Sequence, residues 1–201
     1  MMSMNPVKMR EVAIMGMNSV GKSSLTFKFV WNSFQAEYNP TITDRFTKEL
    51  EVDHVKYACT FIDTAGQDDY SIFPSSCSSV HGFILVYSIN SRKSFDLLHV
   101  IRQKIVEYKG DDDIPLVIVG NKRDLEGIQR AVQTEEGRGL STEWNASFFE
   151  TSAKEDVELD LRSVFTSAIT EIERKQNPHL MPQTNPSQPQ QQQQQKDCVI
   201  I

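Results

Sequence analysis

The sequence predicts an α/β fold: a mostly parallel six-stranded sheet with one antiparallel edge strand and helices on both faces. Three observations carry this. Short, continuously apolar runs of the kind found in strands covered on both faces, Phe83 to Tyr87 and Leu116 to Val119, alternate with segments of helical period. One pair of neighbouring strand patterns is joined by too short a turn to be anything but antiparallel. A loop framed by two glycines leads from the first apolar strand into the first helix.

Taken in order, Glu11 to Met15 is a strand, Gly16 to Ser23 a loop, and Ser24 to Trp31 a helix. Residues 32–44 are polar and loop-like; Pro40 pushes Asn39 into an extended conformation, so Thr41 sits on a stretch that cannot be helical. Phe46, Leu50 and Val52 alternate with Thr47, Glu49 and Glu51, and Tyr57 to Ile62 follows across a turn at Asp53-His54, which makes a hairpin. The segment from Asp63 to Ser79 is polar and serine-rich, with Pro74 disfavouring helix at Phe73. Phe95, Leu98, Ile101 and Ile105 give a helix over Ser94 to Tyr108, and Thr134 to about Trp144 is another. Ser147 to Thr151 is the last strand, and Val157, Leu161, Val164, Phe165, Ala168, Ile169 and Ile172 mark one face of a final helix. Ligands on such sheets bind at the carboxyl ends of the strands, so the loops after Met15, Ile62, Val119 and Thr151 should share one rim.

With 201 residues, 39% of them hydrophobic, the chain can bury one ordinary core. We expect a tail at 1–8, one domain at 9–175, and a disordered Pro/Gln-rich tail at 176–201 that has too little apolar content to pack. The net charge of −6 argues against a nucleic-acid partner. Three scattered cysteines, Cys59, Cys77 and Cys198, fit neither a disulfide framework nor a zinc site, and point to a reducing compartment. No leader or membrane span is expected from the apolar runs. The final Cys198-Val199-Ile200-Ile201 fits the C-a-a-X prenylation pattern.

The stretch Gly16-Met17-Asn18-Ser19-Val20-Gly21-Lys22-Ser23 fits the phosphate-loop pattern G-x-x-x-x-G-K-[ST], which chance would place in roughly one chain of this length in a hundred. Its glycines let consecutive N–H groups and the positive end of the next helix converge on a polyphosphate. Asn18, Ser19, Val20, Gly21, Lys22, Ser23 and Ser24 are therefore expected at the nucleotide, with Lys22 on the outer phosphates and Ser23 on Mg²⁺. Asp63, at a strand end, can hold the metal site through water, and the Gly66 N–H can approach a γ-phosphate. In Asn121-Lys122-Arg123-Asp124, a carboxylate placed like Asp124 can accept from the N1–H and 2-amino groups of guanine, donors that adenine does not present in that arrangement. Ser152-Ala153-Lys154 can bring a backbone N–H to the guanine oxygen.

On these motifs, over about residues 9 to 175, the chain resembles a Ras-superfamily small GTPase of the P-loop NTPase class. Within it the Rheb branch is nearest, from Pro40-Thr41-Ile42, Phe46-Thr47-Lys48, the run Asp63 to Pro74, and Trp144-Asn145-Ala146. The resemblance implies a monomeric switch that binds GTP/GDP with Mg²⁺ and hydrolyses GTP, with Phe34 stacked on guanine, Tyr38 at the nucleotide and Thr41 on Mg²⁺ in the GTP state. It also implies Gln67, Lys22, Thr41 and Gly66 as catalytic residues. The implied partners are a TOR kinase complex as effector, a tuberin-type GAP, a prenyltransferase acting at Cys198, and the membrane through the prenyl group. The expected address is the cytoplasmic face of endomembranes, lysosomal, Golgi or ER, together with cytosol, because one lipid without a polybasic run anchors weakly.

Asn18 stands where Ras proper has glycine and would crowd the γ-phosphate; Pro74 should leave the second switch short or irregular; Thr43, Asp44 and Arg45 depart from the effector-loop pattern. Slow hydrolysis follows. Two alternatives stay open: a largely GTP-locked binding module, and another Ras-family switch. A P-loop ATPase or small-molecule kinase is opposed by Asp124 and by the absence of a lid insertion.

Overall fold

The computed structural model describes residues 7–32, 43–156 and 158–176. Six strands form one sheet: β1 (Lys8–Met15), β2 (Thr43–Val52), β3 (Val55–Thr64), β4 (Gly82–Ser88), β5 (Leu116–Asn121) and β6 (Ser147–Glu150). Their order is β2-β3-β1-β4-β5-β6, all pairs parallel except β2 with β3. The predicted mostly parallel sheet with one antiparallel edge strand is thus the observed one.

Strand periodicity divides the core. Val12 and Ile14 of β1 go to one face, where they pack with α1 (Lys22–Trp31) and α5 (Glu158–Gln176). Ala13 and Met15 go to the other, against α2 (Arg92–Lys109) and α4 (Thr134–Glu143). On the first face Phe29 stacks on Phe165 at 3.9 Å between ring centroids, and Phe61 meets Phe165 edge-on at 5.0 Å. β4 is buried at every position because both faces are covered, which is why it reads as an unbroken apolar run.

Several boundaries differ from the sequence reading, each for a local reason. α1 begins at Lys22, two residues before Ser24, so Lys22 and Ser23 belong to its first turn. The hairpin turn is the two-residue Asp53-His54, both residues at positive φ (50° and 63°), the handedness that matches strand twist; both flanking strands consequently run longer than expected. β5 continues through Asn121, and a 3-10 turn at Arg123–Leu125 followed by the short helix α3 (Glu126–Gln129) was not anticipated, because four residues carry no period. Between Gln67 and Ser79 the only helical segment is a three-residue 3-10 turn at Ser75–Cys77, directly after Pro74, so this stretch is irregular as expected. The expectations for Phe34, Tyr38, Thr41, Val157 and Cys198 fall outside the described residues. Among the described residues no helix is long and apolar enough to cross a membrane.

Candidate nucleotide site

At the carboxyl ends of the parallel strands, four loops converge. Gly21 enters α1 at φ 99°, and a Cβ there would lie 2.2 Å from Asn121 Nδ2, so only glycine lets the loop lie against the end of β5. Among the described residues no side-chain hydrogen bond caps α1 and its own first turn carries no acidic residue, so nothing in the helix itself offsets the positive end of its dipole. The loop geometry suits an anion.

Lys22 is 6% exposed, and its Nζ donates to the carbonyls of Gly16 and Met17 at 3.2 and 3.1 Å. Burial pushes its pKa down to about 8, against the opposing charge of Asp63. The Asp63 carboxylate is wholly buried beside the Ser23 hydroxyl and the Lys22 ammonium. Burial pushes its pKa up to about 6; the nearby Ser23 hydroxyl and Lys22 ammonium pull the other way, and Asp44 adds to the rise. Burial outweighs the hydroxyl and the ammonium, so the charged carboxylate is costly unless a further cation completes it. With Ser23 beside it, this is the donor set of a hard divalent ion, and Mg²⁺ fits the residues present. Among the described residues no three His, Cys, Asp or Glu side chains cluster as a metal site of their own.

Asn121, 2% exposed, holds three loops together. Its Nδ2 donates to the Val20 carbonyl at 2.7 Å, while its Oδ1 accepts from the Ala153 N–H at 3.2 Å and the Thr151 hydroxyl at 3.5 Å. Asp124 accepts from the Ser152 hydroxyl at 2.6 Å, which fixes the carboxylate at the rim. Lys122 sits at φ 69°, with its pKa lowered by burial and Asp124 acting against that shift. Lys154 is exposed, next to buried Ser152 and Ala153. The sequence reading missed Asp156, which is buried and accepts from the Ser152 N–H at 2.8 Å and from Arg123 at 2.7 Å. Nothing in the local pattern distinguishes it, since its role depends on a partner 33 residues away.

The loop after β3 closes the rim. The Gln67 N–H donates to the Gly16 carbonyl at 2.9 Å, and Met17 and Gln67 form an isolated parallel bridge. The Gln67 side chain is 4% exposed and turns back on itself, its Nε2 donating to the Ala65 carbonyl at 3.0 Å. It does not project over the rim. Gly66 lies against Asn18: a Cβ on Gly66 would be 1.7 Å from Asn18 Oδ1. The structure therefore brings together Asn18 to Ser24, Asp63, Gly66, Asn121, Asp124 and Ser152 to Lys154, and leaves the Gln67 side chain facing inward.

Comparison with known proteins gives the same direction. The Ras family profile matches residues 11–174. The chain is 44% identical over 176 residues to GTP-binding protein rhb1 of Schizosaccharomyces pombe, covering 87% of this chain and 94% of that one. It is 46% identical over 172 residues to the small monomeric GTPase RhbA of Aspergillus fumigatus, covering 85% and 91%. To human GTP-binding protein Rheb it is 49% identical over 150 residues, covering 74% and 81%.

Proposed function

The chain belongs to the Ras family of small GTPases, resembling Rheb, and from that premise we propose a magnesium-dependent GTP/GDP switch of slow turnover, tethered to membranes through a prenyl group on Cys198. The observation that carries the reading is the convergence at Asn121: one buried amide ties the phosphate loop to the Ser152 loop, so the parts that would read phosphate and base are fixed as a unit.

Each residue then has a task. The α1 N-terminus and the Lys22 ammonium bind the β- and γ-phosphates, and Lys22 is drawn off the Gly16 and Met17 carbonyls to do so. Asp124 accepts from guanine, and a base lacking those donors leaves the carboxylate unpaired, which costs binding strongly. Ala153 offers its backbone to the guanine oxygen. Ser23, Thr41 and, through water, Asp63 would hold Mg²⁺, which when bound neutralises charge on the phosphates. Phe34 and Tyr38 belong to the same reading, as residues that close over the nucleotide. Gly66 and Thr41 tie their loops to the γ-phosphate and release them after hydrolysis, which is the difference an effector reads.

Gln67 is the residue that would orient the attacking water, and its inward side chain supports slow intrinsic hydrolysis. The same observation favours a second reading, a largely GTP-held module whose output follows its abundance. In the first reading the GTP form activates a TOR kinase complex and a tuberin-type GAP switches it off; endomembranes and cytosol are the address. A single-turnover assay on GTP-loaded protein with Mg²⁺ tests the rate: the expected value is at or below the ~10⁻⁴ s⁻¹ scale of unassisted Ras, and a rate tenfold higher contradicts it. The bound GTP:GDP ratio, measured with and without such a GAP, separates the two readings, since only the first predicts that the GAP lowers it.

A further inference from the structure

The five residues after Gln67 have little apolar anchorage. Tyr70 and Ile72 are 92% and 89% exposed, and a groove of about 570 Å³ opens between Asp69 and the α2 residues Arg92, Lys93, Asp96, Leu97 and Val100. Apolar packing resumes only at Phe73, which stacks on Tyr108 at 4.3 Å. Among the described residues, the side chain that hydrogen-bonds the intervening turn to the rest of the domain is Lys104. Lys104, one helical turn beyond Val100 on α2, donates to three backbone carbonyls, those of Asp68 at 3.1 Å, Asp69 at 3.0 Å and Ser71 at 2.8 Å. The turn is also closed on itself: Asp68 Oδ1 accepts from the Tyr70 N–H at 2.9 Å and the Ser71 hydroxyl at 2.7 Å. An ammonium with its three N–H groups on three carbonyls of one turn is matched donor for acceptor.

Gln67 is thus held from both sides. Upstream, its N–H and Nε2 bond the Gly16 and Ala65 carbonyls; downstream, its neighbour Asp68 is pinned to an 18-residue helix with a serine cap at its start and Gly110 at its end. The Lys104 bonds restrain the backbone on the C-terminal side of Gln67 against a rearrangement that would swing its side chain toward the rim. We infer that Lys104 is a positioning residue for GTP hydrolysis: by fastening the Asp68–Ser71 turn to α2 it keeps Gln67 withdrawn and so holds the rate down. The inference rests on the reading of slow intrinsic turnover.

The test is single-turnover hydrolysis by Mg²⁺-GTP-loaded wild type, Lys104→Met, Lys104→Arg, Gln67→Leu and the Lys104→Met/Gln67→Leu double variant, with amide exchange followed at Tyr70 and Ser71. Lys104→Met keeps the stem and removes the donors; it should hydrolyse roughly tenfold faster, the worth of one charge-assisted hydrogen bond, and exchange faster at both amides. Lys104→Arg, still a donor to carbonyls, should stay near wild type. In the Gln67→Leu background the gain should vanish, which loosening of structure alone would not produce. Lys104→Gln replaces Lys104→Met should the latter melt below assay temperature. Faster exchange with an unchanged rate, or a gain that survives Gln67→Leu, overturns the inference while leaving slow turnover intact. A wild type tenfold above the unassisted scale instead removes the premise, and the inference with it.

Discussion

At Asn18 a side chain meets a backbone that has no room to spare. Gly66 lies so close that an added Cβ would fall 2.6 Å from the Asn18 Cα, a contact no rotamer change relieves. The Asn18 side chain is therefore packed directly against Gly66, and replacing it with glycine should open the space there to a γ-phosphate. Asn18→Gly is expected to raise intrinsic hydrolysis by roughly several-fold, a barrier change of about 1 kcal/mol; an unchanged single-turnover rate makes the side chain a bystander. This residue was legible in the sequence because a phosphate loop fixes its neighbours' places. The inward turn of Gln67 was not, since it depends on where the Gly16 and Ala65 carbonyls come to lie, and Gly16 is distant in sequence. Asp156 escaped for the same reason.

Among the elements, α5 closes the sheet and joins the first strand to the end of the domain. Glu173 on α5 pairs with Lys8 and Arg10 of β1. Burial raises the Glu173 carboxyl, but the hydrogen bonds and charges of Lys8 and Arg10 outweigh it, and the net pKa lies below its ordinary 4.5. A depressed carboxyl contributes stability that is fully present above pH 4.5 and is lost as pH falls through the native value. Glu173→Gln should therefore lower the melting temperature at pH 7 and flatten its decline below pH 4.5; a decline as steep as wild type's would place the acid sensitivity elsewhere. Long elements such as α5 and α2 were readable because their apolar period repeats over several turns. α3 is too short to show one, and the Asn121 end of β5 carries no apolar strand signal because its amide bonds the Val20 and Ala153 loops at the rim.

For the molecule as a whole, the strand order puts every parallel strand's carboxyl end on one edge, and that is why motifs scattered from Gly16 to Lys154 can act together. Each motif was legible by itself, being contiguous. Their connection through Asn121 required the topology. At the far end of the chain Cys198 carries the proposed anchor, and a single prenyl group gives weak, reversible membrane binding. Cys198→Ser should move the protein from the membrane to the soluble fraction on cell fractionation with its GTP binding unchanged; a variant that stays with membranes contradicts the anchor. The central claim is that the rim is a guanine-nucleotide site, and identifying by mass the nucleotide retained on protein purified with Mg²⁺ tests it most directly. The account predicts stoichiometric GTP or GDP that excess ATP does not displace, whereas protein that emerges empty and takes up neither, or that carries adenine nucleotide, contradicts it.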